Sequence, residues 1–454
     1  MDLARIEELL NLEPPSDVRY REILRRARRA EGLDPEDAAM LLLGASDSRR
    51  DAALFSAARE VKRALYGKRI VLFAPLYISN LCSNKCLYCA FRRDNDSLER
   101  RKLGLEEIRG ETRALISMGH KRVLLEAGED LAAAPMDYVL DAIEAIYDTH
   151  VGRNSIRRIN VNVAATSVDN YERLRAAGIG TYQLFQETYH RPTYEAVHIE
   201  GPKSDYDYHL GAMDRAVTAG IDDYGIGVLF GLYDYRYETL ALLAHAEYMR
   251  ETHGIGPHTI SVPRLQSAPG TEFEAPHPLS DDELKKVVAV LRLAAPYTGL
   301  ILSTRESAQM RDELVNLGIS QMSAASMTEI GGYGRGEKHS GQFDTHDHRS
   351  LDECVRDIVS REGIPSFCTG CYRKHRTGSR FMEMVEAGEI RDLCLPNAIL
   401  TLAEYVEDYG SDDTRRAFER RVPEWLGEIP DERVRAATTS ALAEIESGVR
   451  DVYL

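Results

Sequence analysis

From residue 69 onward, short apolar runs alternate with longer stretches in which apolar residues recur every three or four positions. Runs such as 69–79 (RIVLFAPLYIS) and 121–129 (KRVLLEAGE) are typical of buried strands. Stretches such as 104–119 and 136–150 have the period of an amphipathic helix, and the first of them ends at a glycine. Strands that alternate with helices predict parallel strand pairing.

The same alternation continues to about residue 326. Further strands are predicted at 156–166, 181–188, 223–232, 258–265, 299–304 and 319–326, and further helices at 171–180, 208–221, 237–252, 280–295 and 306–317. About eight strand–helix repeats predict an α/β fold of the TIM-type (β/α)8 barrel class. We therefore expect the active site at the carboxyl ends of the strands.

Regions with a different pattern flank the predicted barrel. We expect a helical N-terminal region at 1–68, the barrel at 69–335, and a mostly helical C-terminal domain at 336–454. The segment 333–350 is rich in Gly, His and charged residues, which is typical of a loop or linker. A chain of 454 residues is long enough for one large barrel and an appended domain.

Charge and hydropathy exclude two classes of partner. A net charge of −16 argues against non-specific binding to nucleic acid, which requires a surplus of Lys and Arg. No apolar segment approaches the roughly 20 residues that span a bilayer. The N-terminus lacks the apolar stretch of a signal peptide, so we expect a cytoplasmic protein with no membrane partner.

Six of the seven cysteines lie in two tight groups. Clustered cysteines in a large chain without a signal peptide indicate metal binding or catalysis rather than a disulfide framework. The seventh, Cys354, is interpreted as a buried small hydrophobic residue.

The first group has the spacing C-x3-C-x2-C and directly follows the first predicted barrel strand. Its residues are Cys82, Cys86 and Cys89. Three thiolates hold three corners of a 4Fe–4S cluster and leave the fourth iron open, where S-adenosylmethionine (SAM) can bind. The alternative is a structural zinc site, but zinc prefers four ligands and no His follows within a few residues. The motif and its position resemble the radical SAM superfamily.

Polar residues near predicted strand ends are candidates for binding SAM. Glu126-Ala127-Gly128-Glu129 resembles the Gly-Gly-Glu motif of that superfamily, and Glu187 suits the ribose hydroxyls. Arg215 is the candidate for the SAM carboxylate, with a helix-surface ion pair as the alternative. The full set of candidates is Tyr88, Gly128, Glu129, Asn162, Glu187 and Arg215.

The second group has the spacing C-x2-C-x22-C and comprises Cys368, Cys371 and Cys394. A redox dithiol is disfavoured because no thioredoxin-like pattern surrounds the motif. Zinc with His375 as the fourth ligand remains an alternative. Two three-cysteine sites in one chain favour a second iron–sulfur cluster.

Long segments of the chain resemble the tyrosine lyase maturases of FeFe-hydrogenase assembly. They include FAPLYISN (73–80), MGHKRVLLEAGED (118–130), AAGIGTYQLFQETYH (176–190), AMDRAVTAGIDDYGIGVLFGL (212–232), GIGPHTISVPR (254–264), PYTGLILSTRES (296–307), PSFCTGCYRKHRTGSRFM (365–382) and AILTLAEYVEDY (398–409). The related tyrosine lyase of the thiamine pathway shares the barrel but lacks this form of the second cysteine motif.

The resemblance implies a lyase that splits the Cα–Cβ bond of tyrosine into p-cresol and dehydroglycine. It further implies that dehydroglycine yields carbon monoxide and cyanide at the second cluster, delivered as an iron unit bound through free cysteine. The implied cofactors are SAM and two 4Fe–4S clusters, and an additional iron near the second is left open. His258 is the implied ligand of that iron, with an ordinary barrel histidine as the alternative. A reducing electron donor and hydrogenase maturation proteins are the implied partners.

Two positions depart from the family pattern. Where relatives have Ser-Gly-Gly-Ser-Arg-Thr, this chain has Ser-Ala-Ala-Ser-Met-Thr at 323–328, so Met327 replaces an Arg that suits a substrate carboxylate. The loop 90–95 also differs. Candidates to anchor the substrate are Arg264, Arg305 and Ser323. The alternatives are a radical SAM paralogue with another amino-acid substrate and a non-catalytic cluster carrier.

Overall fold

The computed structural model describes residues 3–44, 47–335, 341–373, 380, 384 and 389–454. Its strands are β1 (Arg69–Ser79), β2 (Arg122–Ala127), β3 (His150–Val151), β4 (Asn154–Ser155), β5 (Arg158–Asn162), β6 (Tyr182–Gln183), β7 (Tyr224–Gly227), β8 (Thr259–Ser261), β9 (Gly299–Leu302), β10 (Gln321–Ser323) and β11 (Ile364–Ser366).

The helices are α1 (Ala4–Leu10), α2 (Asp17–Ala27), α3 (Pro35–Gly44), α4 (Ser48–Tyr66), α5 (Leu105–Met118), α6 (Met136–Tyr147), α7 (Val168–Ala176), α8 (Arg191–Val197), α9 (Tyr206–Leu210), α10 (Ala212–Thr218), α11 (Tyr235–His253), α12 (Asp281–Ala294), α13 (Ala308–Leu317), α14 (Gly332–Arg335), α15 (Leu351–Ser360), α16 (Gly370–Arg373), α17 (Glu389–Tyr409), α18 (Asp412–Gly427) and α19 (Glu432–Glu446). A 3₁₀ turn lies at Pro202–Ser204.

A closed parallel barrel forms the centre of the molecule. Its strand order is β1, β2, β5, β6, β7, β8, β9, β10, and β10 pairs back with β1. In this closure Val71 lies opposite Gln321, while further along β1 Leu76 lies opposite Leu125. The predicted (β/α)8 barrel is confirmed, and helical extensions precede and follow it.

The extensions pack on the barrel in different places. Helix α4, whose first turn is capped by the side chain of Asp47, packs against α12. In the C-terminal region β11 pairs in parallel with the start of β1, where Arg69 lies opposite Ile364. Cys368, which follows β11, therefore lies near the amino end of the barrel. The division at 68 and 335 remains a prediction.

Some strands of the structure are shorter than the apolar sequence runs that predicted them. The run 181–188 predicted one strand, but β6 spans only Tyr182–Gln183, and the backbone leaves the β region at Glu187, which has φ +67°. The predicted helix 208–221 is divided into α9 and α10 at Gly211. Among the described residues, no helix combines the length and apolar character that a membrane crossing requires.

Candidate active site

The first three cysteines lie on the loop that leaves β1 and border one cavity at the carboxyl ends of the barrel strands. Backbone hydrogen bonds hold this loop on two sides. The amide of Ser83 donates to the carbonyl of Glu129 over 3.0 Å, and the amide of Lys85 donates to the carbonyl of Glu200 over 2.8 Å. The loop is thus positioned by both the β2 end and the segment after α8.

Burial favours the protonated thiol form of these cysteines unless a cation lies beside them. It raises the pKa of Cys82 to about 12, with the charge of Glu129 adding to the effect, and it raises that of Cys86 well above its usual value. In the described part of the chain, no three His, Cys, Asp or Glu side chains are grouped closely enough to hold a single metal ion. Three soft sulfur donors on one loop, at the spacing C-x3-C-x2-C, fit an iron–sulfur cluster.

Gly128 and Glu129 close the cavity beside the cysteine loop. A Cβ at Gly128 would lie 2.3 Å from the carbonyl oxygen of Leu81, so only glycine allows this approach. The amide of Gly128 donates to the carbonyl of Ser79 over 2.8 Å, and the side chain of Asn84 donates to the Glu129 carboxylate. The Gly-Gly-Glu-like motif therefore contacts the cluster loop directly.

Lys203 lies between two of the predicted SAM-binding carboxylates, and sequence reasoning missed it. Its Nζ is 2.7 Å from Oε1 of Glu187 and 4.0 Å from Oε1 of Glu129, and all three side chains line the cavity. Burial alone would lower its pKa, but these carboxylates outweigh burial and keep the pKa of Lys203 well above its usual value. The signal available in the sequence was Gly201-Pro202-Lys203, a turn that brings a cation back toward the cysteine loop.

Tyr88 and Asn162 are two further predicted SAM-binding residues that line this cavity. The hydroxyl of Tyr88 is 2.8 Å from Nε2 of His198, which fixes the ring within the cysteine loop. Asn162 is the last residue of β5, opposite Glu126 on β2.

Arg305 and Ser323 lie on the far side of the same cavity, at the ends of β9 and β10. The Arg305 guanidinium is 3.3 Å from the ring centroid of Phe343 and has no ion pair with any described residue. Glu126 also lines this side, and burial raises its pKa to about 7. The Arg305 guanidinium can therefore bind a carboxylate through two hydrogen bonds. The Glu126 carboxyl can exchange a proton near neutral pH.

The second cysteine group lies at the opposite end of the barrel. Cys368, Cys371 and Cys394 border a cavity together with His258. Nδ1 of His258 is 3.8 Å from Oδ2 of Asp223. His375, the alternative zinc ligand, lies outside the described residues.

The two cavities belong to one barrel interior. On β9, Gly299 borders the second cavity and Ile301 borders the first, and both side-chain positions are on the same face of the strand. Ser303 and Arg305, which follow β9, also border the first cavity. Phe73, Leu124 and Ile301 form a small apolar cluster between them.

Comparison with known proteins identifies this architecture. The family model of the radical SAM superfamily matches residues 76–245, and that of the biotin and thiamin synthesis associated domain matches residues 261–363. A crystal structure of HydG, a maturase of the [FeFe]-hydrogenase, is 49% identical and covers 100% of this chain and 98% of its own, with a TM-score of 0.95. The chain belongs to the HydG family of radical SAM enzymes.

Two further proteins are similar to this chain. HydG from Carboxydothermus hydrogenoformans is 42% identical, with 97% of each chain covered and a TM-score of 0.83. The 2-iminoacetate synthase of Escherichia coli is 32% identical over 340 residues, which cover 75% of this chain and 88% of the relative. The protein is thus a radical SAM lyase with a 4Fe–4S cluster and SAM as cofactors.

Two predicted contacts do not fit the HydG-family structure described here. Arg215 does not line the cavity, since its guanidinium donates to the carbonyls of Thr166 (2.9 Å) and Tyr208 (2.7 Å). Arg264 does not line the cavity either. Its guanidinium donates to the carboxylate of Glu306 and, over 2.8 Å, to that of Asp281. The sequence pattern predicted the helix that carries Arg215 and the strand near Arg264. It did not predict which carbonyl and carboxylate groups these two arginines contact.

Met327, the departure from the family pattern, lies outside the cavity. Ser326 and Thr328 line the cavity, whereas the side chain of Met327 does not and is 37% exposed. Position 327 is therefore outside the group of residues that surround Arg305 in this cavity.

Proposed function

We propose that this protein splits the Cα–Cβ bond of tyrosine into p-cresol and dehydroglycine. We further propose that dehydroglycine then yields carbon monoxide and cyanide for an [FeFe]-hydrogenase. The observation that carries the proposal is that two three-cysteine sets face opposite ends of one barrel interior, with Arg305 beside the first set. The likeness to HydG, a hydrogenase maturase, and to 2-iminoacetate synthases supports this function.

The residues of the first cavity take distinct roles in this proposal. Arg305 binds the tyrosine carboxylate through its fork, and the hydroxyls of Ser303 and Ser323 lie on neighbouring strand ends beside it. Lys203 binds the SAM carboxylate, and Glu187 accepts from the ribose hydroxyls. A 4Fe–4S cluster on the first three cysteines supplies, when bound, the electron for radical generation from SAM.

The second cavity takes the later steps in this proposal. Cys368, Cys371 and Cys394 would hold a second cluster, and His258 borders the same space as a ligand for an additional iron bound with free cysteine. The apolar cluster of Phe73, Leu124 and Ile301 separates the cavities, so a small product would pass this layer to reach the second site.

A product analysis tests the proposed reaction. Anaerobically reconstituted protein is incubated with SAM, a reductant, tyrosine and free cysteine. We expect p-cresol and 5′-deoxyadenosine in equal amounts, followed by carbon monoxide and cyanide. Deoxyadenosine without p-cresol would contradict tyrosine as the substrate, and SAM cleavage at background would favour a cluster carrier.

Replacement of Lys203 by Met is expected to weaken SAM binding by about 10- to 150-fold, equivalent to about 1.5–3 kcal/mol for a lost charge-assisted hydrogen bond. Equilibrium dialysis with labelled SAM measures the dissociation constant. Arg215→Met is the matched control and should change it by less than about threefold, because Arg215 bonds backbone carbonyls outside the cavity. The assignment is wrong if Arg215→Met has the larger effect.

A further inference from the structure

The segment at 341–347 lies at the carboxyl ends of the barrel strands, beside the loop of the first cysteine group. The amide of Ala90, on that loop, donates to the carbonyl of Gln342 over 3.3 Å, and the amide of His346 donates to the carbonyl of Thr304 over 2.9 Å. The segment is thus held at one end by the cysteine loop and at the other by the residues that follow β9. Gln342 itself lines the first cavity.

The side-chain amide of Gln342 bridges two groups of the cavity wall. Its Nε2 donates to Sγ of Cys89 over 3.7 Å, and its Oε1 accepts from the hydroxyl of Tyr77 over 2.8 Å. Tyr77 is only 3% exposed, and its ring packs edge-on against Phe91 with 5.9 Å between the centroids. The hydroxyl that holds the amide oxygen is therefore itself fixed by packing.

These two contacts determine which end of the amide faces the sulfur. A phenol hydroxyl can donate, whereas the thiolate that ligates a metal can only accept. The reverse orientation would place the amide oxygen of Gln342 against the thiolate of Cys89, and two acceptors cannot share a hydrogen bond. The N–H end therefore faces Cys89.

A hydrogen bond to a ligating sulfur changes the electronic properties of a cluster. Among the side chains that the structure describes, that of Gln342 donates to a sulfur of the first cysteine group. Reduction adds one negative charge, part of which resides on the sulfur atoms, so an N–H dipole aimed at them stabilises the reduced form more than the oxidised form. Hydrogen bonds of this kind are among the factors that set the reduction potential of iron–sulfur clusters.

We propose that Gln342 is a positioning residue that raises the reduction potential of the first cluster through its hydrogen bond to Cys89. The electron needed for SAM cleavage then enters the cluster at a less negative potential. The inference rests on the part of the proposed function that places a cluster on the first three cysteines, and it is independent of the substrate.

A redox titration of two variants tests the hydrogen bond. Gln342→Met keeps a similar side-chain length without a donor, whereas Gln342→Lys keeps an N–H donor and adds a positive charge. Both variants remove the acceptor for the Tyr77 hydroxyl, so the difference between them isolates the donor. At a fixed potential, the ratio of reduced to oxidised cluster should fall about tenfold in Gln342→Met, equivalent to about 59 mV for one electron. In Gln342→Lys it should equal or exceed the wild-type ratio.

The ratio is measured from the EPR signal of the reduced protein, and the signal that SAM perturbs is that of the first cluster. Gln266→Met is the matched control, because Oε1 of Gln266 is 3.1 Å from Nε2 of His346 on the same segment but Gln266 does not line the first cavity. It should change the ratio by less than about twofold. An equal fall in Gln266→Met and Gln342→Met, or a ratio in Gln342→Lys as low as in Gln342→Met, would overturn the proposal.

A second measurement uses the wild-type residue. The protein is produced by cell-free synthesis with glutamine that carries ¹⁵N in the side-chain amide alone, and the reduced cluster is studied by pulsed EPR. We expect a coupling between the cluster and one ¹⁵N nucleus that is lost in Gln342→Met and kept in Gln266→Met. Absence of this coupling in the wild type would overturn the proposal without reference to any variant.

Iron content separates the failure of this inference from the failure of the proposed function. A wild type without iron, or without a signal that SAM perturbs, would contradict the cluster on the first cysteine group itself. A wild type with full iron content whose potential is the same in Gln342→Met would overturn only the role of Gln342. Loss of iron from Gln342→Met but not from Gln266→Met would show a structural role and would also overturn it.

Discussion

Replacement of Cys86 by Ala is expected to reduce SAM cleavage by at least about a thousandfold, equivalent to about 4 kcal/mol of barrier. Cys86 is 6% exposed and lies in the middle of the loop that borders the first cavity. With only two thiolates left, the loop cannot hold a cluster with a single open iron. The measurements are iron content, the brown absorbance of anaerobic protein and the amount of 5′-deoxyadenosine.

Two other cysteines provide matched controls. Cys354→Ala removes an equally buried thiol from α15, 1% exposed and outside both cavities, and should leave SAM cleavage within about twofold. Cys394→Ala alters the second cavity only, so SAM cleavage and p-cresol should persist while carbon monoxide and cyanide are lost. Full SAM cleavage by Cys86→Ala, or its loss in Cys354→Ala, would contradict the assignment.

The second large effect is expected for Arg305→Met, which should raise the KM for tyrosine by about 10- to 150-fold. This range corresponds to about 1.5–3 kcal/mol for a charge-assisted fork to a carboxylate. Arg305 is the candidate cation that lines the first cavity without an ion pair in the described residues, whereas Arg264 is occupied by Glu306. Initial rates of p-cresol formation at varied tyrosine give kcat and KM.

Position 327 provides the opposite test. Met327→Arg restores the residue type that relatives have, but the side chain would lie outside the cavity. We expect the KM for tyrosine to change by less than about twofold, in line with an exposed substitution. A tenfold fall in KM would show that position 327 reaches the substrate.

Arg305→Lys separates charge from geometry. Lysine keeps the positive charge but loses the planar fork, so its KM for tyrosine should lie between those of the wild type and Arg305→Met. Equal KM values for Arg305→Lys and Arg305→Met would show that fork geometry carries the whole interaction.

Local patterns alone determined much of this protein. The apolar run 69–79 gave the bounds of β1, because a buried parallel strand needs apolar residues on both faces. The spacing of Cys82, Cys86 and Cys89 placed three thiols on one short loop, and chain connectivity keeps them close in any fold. Strand ends also located Glu129 and Glu187, because parallel strands end at the same face of a barrel.

Tertiary structure decided which cations serve the site. The sequence made Arg215 the candidate for the SAM carboxylate and Arg264 and Arg305 candidates for the substrate. The fold pairs Arg215 with carbonyls and Arg264 with Glu306, and it leaves Arg305 facing the cavity. Lys203 lines the site only because the turn that carries it places its ammonium group beside the carboxylate of Glu187. The side chain of a cation is long and flexible, so its partner comes from whichever segment the fold brings near, and sequence spacing does not record that neighbour.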